Sequence, residues 1–114
     1  MHEIGIMSSA IRSILEQVEC NSAHRVHRVV LRVGAISGAE PEALRFAFDV
    51  VTRDTVVADA ELQILSVPAR ALCTHCNLEF CPSNGFIFEC PTCHHFSGTL
   101  VSGRELELSQ LEMS

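Results

Sequence analysis

A chain of 114 residues with 47% hydrophobic content has the apolar surface for one compact domain, or a domain with a small satellite, and lies in the ordinary globular range. It contains no apolar run near the ~20 residues a membrane span needs, and its net charge of -6 disfavours nucleic acid in the absence of a basic patch. The sequence does not open on a charged start followed by an apolar stretch and a small-residue cleavage site, so a cytoplasmic protein with reduced thiols is expected.

Taken in chain order, Ile4, Met7, Ile11, Ile14 and Val18 recur at spacings of three and four, which predicts an amphipathic helix ending near Cys20 to Ser22. From Arg25 to Val33 the β-branched content rises. Val29, Leu31 and Val33 there alternate with Arg28, Val30 and Arg32, which predicts a strand. Pro41 suits the first turn of a second helix with Leu44, Ala47, Phe48 and Val51 on its buried stripe. Glu61 to Val67 reads as a second strand and Arg104 to Met113 as a last one. The expected fold is α+β: two helices packed on a small three-stranded sheet, with a zinc-ribbon-like module inserted between the last two strands. Residues 1–70 and 97–114 would form the α/β domain and 71–96 the module.

The module carries Cys73-Thr-His-Cys76 and Cys90-Pro-Thr-Cys93, thirteen residues apart, and four of the six phenylalanines, Phe80, Phe86, Phe88 and Phe96. Two Cys-x-x-Cys turns facing each other supply the four soft ligands of a tetrahedral zinc site. Four thiolates fill the shell and leave no position for water, so the zinc is expected to be structural rather than catalytic. A piece this short buries too little surface to hold itself together, and metal binding would contribute on the order of 10 kcal/mol to its folding. A thioredoxin-like redox role would need a Cys-x-x-Cys opening a helix, whereas Asn77, Pro82, Asn84, Gly85 and Pro91 make this a turn-rich segment. His75, His94 and His95 lie in or beside the turns, where exchange with a thiolate or a second ion is weighed against plain exposure. Cys81 is expected to be a small buried hydrophobe and Cys20 a helix-end thiol.

The other place where residues suggest chemistry is Met1-His2-Glu3. The terminal amine, the His2 amide once deprotonated and the nearer imidazole nitrogen can close two chelate rings around one ion. Such a planar nitrogen set suits Ni(II) or Cu(II) better than Zn(II). Glu3 would donate an oxygen or act on His2 from outside the shell. A frayed terminal histidine is the commoner occurrence at such a position.

With these elements in order, the whole chain resembles the hydrogenase maturation nickel metallochaperones, the HypA/HybF family. The resemblance runs through Met1-His2-Glu3, the Arg28 to Gly34 strand, Glu40-Pro-Glu-Ala-Leu-Arg-Phe-Ala-Phe48, the paired cysteines and Gly103-Arg-Glu-Leu-Glu-Leu108. It implies Ni(II) carried as cargo on His2, with the Met1 amine and Glu3 as an auxiliary, and a structural zinc on Cys73, Cys76, Cys90 and Cys93. It further implies delivery to the large subunit of [NiFe] hydrogenase together with a nickel-handling GTPase. Glu40, in the loop before the second helix, is a weaker nickel candidate. The competing class is a zinc-ribbon adaptor or interaction module without nickel function, which would bind nucleic acid in a salt-dependent way or act by surface alone. An enzyme is not expected, since no Ser-His-Asp or paired-carboxylate arrangement is supported by spacing.

Overall fold

The computed structural model describes residues 2–82, 87–96 and 99–114. The order of elements is α1 (His2–Cys20), β1 (Val26–Gly34), α2 (Pro41–Val51), β2 (Glu61–Val67), β3 (Arg70–Cys73), β4 (Leu78–Phe80), β5 (Thr99–Ser102) and β6 (Leu106–Met113). They form two three-stranded sheets, β2-β1-β6 and β4-β3-β5. The expected α+β architecture holds, and the cysteine-bearing module contributes a sheet of its own. The chain divides into two compact units. One comprises Met1–Arg32, Ala39–Leu65 and Glu107–Ser114, and the other Val33–Gly38 and Ser66–Leu106.

In the first unit the α1 stripe is buried at Met7, Ile11, Ile14 and Val18, and the α2 stripe at Leu44, Ala47 and Phe48. Val26, Val29 and Leu31 of β1 and Val57 complete this core. Helix α1 stops where Ser22 takes φ +52. The Ala23 N–H then donates to the Val18 carbonyl and the Ser22 N–H to the Glu19 carbonyl, so the last turn is closed by a left-handed cap. Helix α2 starts at Pro41 behind an extended Glu40, whose carboxylate accepts from the Glu42 N–H. It ends at Thr52, a buried residue whose N–H and hydroxyl both donate to the Phe48 carbonyl.

Paired bonds between Arg25 and Ser114 join β6 antiparallel to β1, and Arg32 meets Glu107 at 2.7 Å across that pair. The Val26 N–H donates to the Val56 carbonyl and the Ala35 N–H to the Val67 carbonyl, so β2 advances in the same direction as β1. That requires a crossover, and α2 is the crossover helix.

In the second unit β3 pairs antiparallel with β4, Ala71 opposite Phe80 and Cys73 opposite Leu78. On its other side it pairs with β5, with a bulge between Arg70 and Ala71. A small core forms from Ala71, Cys73, Phe80 and Cys90, flanked by Phe88 and Cys93. Phe96 stays 75% exposed, and Phe86 lies outside the described residues. Two glycines set the backbone approach. A Cβ on Gly34 would overlap the Gly103 carbonyl, and Gly103 itself holds φ +121 with the Ala69 Cα 2.7 Å from where its own Cβ would stand. Backbone atoms cannot rotate aside, so Gly34→Ala is expected to cost about 2 kcal/mol or more. Thermal melting against the parent checks this, and an unchanged midpoint would refute it.

Candidate metal centres

Cys73 closes β3 and Cys76 sits in the turn that leads into β4. The second pair occupies a loop flanked by a Glu89–Phe96 bridge. Within it the His94 N–H donates to the Cys90 carbonyl and the Cys90 N–H to the His95 carbonyl. Each loop turns out through a left-handed residue directly after its second cysteine, Asn77 at φ +58 and His94 at φ +64. Asn and His are among the few side chains that tolerate this region.

These two loops bring the four cysteines together, with all four sulfurs within 4.8 Å of one another. Cys73 Sγ lies 3.4 Å from Cys93 Sγ and Cys76 Sγ 3.5 Å from Cys90 Sγ. Sulfurs bound tetrahedrally to one zinc at about 2.3 Å stand about 3.8 Å apart, so the set needs only a small adjustment to hold the ion.

The electrostatics follow from the loops. The backbone N–H of Cys76 holds the Cys73 thiol below its usual value against the cost of burial, with help from the Cys93 and Cys76 side chains and the His75 N–H. In the same way the N–H groups of Cys93 and Thr92 bring Cys90 down to about 6. Cys76, hydrogen-bonded to the Cys90 sulfur and partly desolvated, is pushed up to about 12. For Cys93, the His95 N–H favours the thiolate, but burial and the Cys73 and Cys90 thiols raise it on balance. The backbone of each loop thus favours the thiolate at its first cysteine, and a bound cation would favour it at the second as well.

His75 and His95 stack face to face, ring centroids 3.9 Å apart and 15° from parallel. His94 turns to Glu89, at 3.2 Å. Cys81 is exposed rather than buried, and Arg70 donates both to the Glu79 carboxylate at 2.6 Å and to the Cys81 sulfur at 3.6 Å. Cys20 is exposed at the end of α1. His27, on β1, meets the Ser114 hydroxyl at 2.7 Å.

At the other end of the chain Met1 lies outside the described residues. His2 is exposed in the first turn of α1, and its Nε2 lies 3.3 Å from the Glu3 carboxylate. Glu3 is buried, and the same oxygen accepts the Glu40 N–H at 3.3 Å. Its pKa is held below the usual 4.5, first by its own backbone N–H, against burial, and then by Glu40 and His2. Glu3 therefore stays ionised in mild acid and ties the start of α1 to the residue that caps α2. The Glu40 carboxylate is used on its own helix.

The family model described as "Hydrogenase/urease nickel incorporation, metallochaperone, hypA" matches residues 1–113. The chain belongs to the HypA family. Among its HypA relatives, the hydrogenase maturation factor of Picosynechococcus sp. is 39% identical over 113 residues, covering 99% of each chain. The factor of Acidithiobacillus ferrooxidans is 40% identical over 114 residues, again covering 99% of each. The solution structure of the HypA nickel metallochaperone from Helicobacter pylori superposes with TM-score 0.67 at 30% identity, covering 97% of this chain and 96% of that one. A second HypA solution structure gives 0.75 at 30% identity, covering 100% and 97%.

Proposed function

We propose that this chain is a nickel metallochaperone that takes up Ni(II) at its N-terminus and passes it to the [NiFe] hydrogenase large subunit, working with a GTPase. Zinc on Cys73, Cys76, Cys90 and Cys93 would hold the second unit in shape. Full-length membership of the HypA family supports the general reading. The observation that carries the nickel site is the His2–Glu3 contact. The carboxylate engages Nε2, the far ring nitrogen, which leaves Nδ1, the nitrogen nearer the backbone, for the chelate with the amide and the Met1 amine. A metal-bound imidazole commonly donates its other N–H to a carboxylate, which fixes the tautomer and strengthens the ligand.

The position on the helix fits as well. The His2 amide stands at the start of α1, where the first N–H groups have no acceptor within the helix, so the nitrogen is available for coordination. The positive end of the helix dipole opposes a cation, and the ionised Glu3 offsets it. Release is built in, since three nitrogen donors leave an open position at which a receiving ligand can enter and displace them stepwise. The acidic net charge of -6 biases capture towards cations.

Binding displaces protons from amine, amide and imidazole, so nickel affinity is expected to fall steeply between mildly alkaline and mildly acidic pH. Glu3 does not cause the fall, because its pKa is depressed and it keeps its charge throughout that range. A nickel titration at several pH values, run beside a hydrogenase activation assay, tests the proposal. Equal affinity at both ends of the range would reject the donor set.

A further inference from the structure

Cys93 belongs to two clusters at once. Besides the four-cysteine set, its sulfur lies with one ring nitrogen each of His75 and His95 in a group whose ligand atoms are all within 4.8 Å of one another. We propose that His75, Cys93 and His95 form a second metal site on the surface of the zinc module, taking a borderline divalent ion such as Zn(II) that shares the Cys93 thiolate with the zinc of the four-cysteine site.

The donor chemistry is two imidazoles and one thiolate, which suits such an ion. A thiolate sulfur has lone pairs enough to bridge two cations, and Cys93 is the half-buried member of the quartet, its sulfur within reach both of the other three sulfurs and of the two histidines. Local structure places the imidazoles. The left-handed turn at His94 and the bond from the Cys90 N–H to the His95 carbonyl bring His95 back over the loop. It stacks there on His75, twenty residues earlier in sequence. His94, its immediate neighbour, faces Glu89 instead. Both stacked rings are exposed, so their nitrogens are open to an ion.

The fit requires movement. Ligand atoms around one zinc lie about 3.4 to 3.8 Å apart, closer than the observed spread, and near-parallel rings must rotate before their lone pairs converge. Exposed side chains can do both at little cost. With three protein ligands and a free position, the site is suited to exchange rather than to holding the fold.

The test uses the zinc-loaded chain carrying His2→Ala, which silences the N-terminus. Zn(II) is titrated in, and bound metal is measured after equilibration at fixed free zinc, with X-ray absorption reporting the ligands. A second equivalent is expected in this background and equally with His94→Ala. Adding His75→Ala or His95→Ala is expected to weaken it at least tenfold, the low end of what losing even an outer partner costs, while the first zinc is retained. An unaffected second equivalent in those variants, or none in the background protein, would overturn the site. So would a spectrum in which imidazole replaces a thiolate at the first zinc, which would make these histidines exchangeable ligands of a single ion.

Discussion

His2→Ala is expected to lower nickel affinity by about a hundredfold or more, since it removes a ligand outright where loss of an outer partner alone costs about tenfold to a hundredfold. Zinc content and fold should be unchanged, because His2 is exposed in the first turn of α1 and its ring meets the carboxylate beside it on the same helix. Hydrogenase activation at limiting nickel should fall with the affinity. Isothermal titration and an activation assay read the two effects. A variant that keeps native nickel affinity would move the cargo site elsewhere in the chain. Glu3→Gln provides a graded comparison: it keeps the shape, loses the charge that orients His2, and should weaken nickel binding less than His2→Ala does.

The second large effect concerns the cysteines. Cys76→Ser is expected to release zinc and unfold the second unit, because a serine hydroxyl is a poor replacement for a thiolate and the metal contributes on the order of 10 kcal/mol. Cys76 is the informative position because it is exposed, so the substitution leaves no cavity and its effect reports on the metal. Loss of amide protection should be confined to Val33–Gly38 and Ser66–Leu106, with α1 and α2 still formed. Cys81→Ser, at an exposed thiol outside the four-sulfur cluster, serves as control and should keep its zinc. Full zinc stoichiometry in Cys76→Ser would contradict the assignment.

Much of this was legible in the sequence where periodicity or chemistry is strong. The spacing of Met7, Ile11, Ile14 and Val18 and the Pro41 start located both helices, and β2 began and ended where its sequence indicated. Strands β3, β4 and β5 were not seen, because runs of three or four residues are too short to show alternation. Their signals were the turn residues between them, Asn77 above all. The last strand begins at Leu106 rather than Arg104, since Gly103 at positive φ must first turn the chain.

At the N-terminus, the burial of Glu3 could have been read from the pattern, since it stands four residues before Met7 on the same helical stripe. Its bond to the Glu40 N–H could not, because nothing local links positions that far apart. The His75–His95 stack was hidden for the same reason. Cys81 was misjudged because the burial of a lone thiol just past the end of β4 depends on what packs there, and its neighbour Arg70 lies eleven residues away on β3.

The central claim is that nickel is held by a chelate that includes the terminal amine. A nickel titration of the zinc-loaded chain extended by two residues ahead of Met1 tests it most directly, because every native side chain stays in place and only the amine is displaced. The proposed donor set predicts that affinity falls towards that of His2→Ala. Undiminished nickel binding in the extended chain would contradict it.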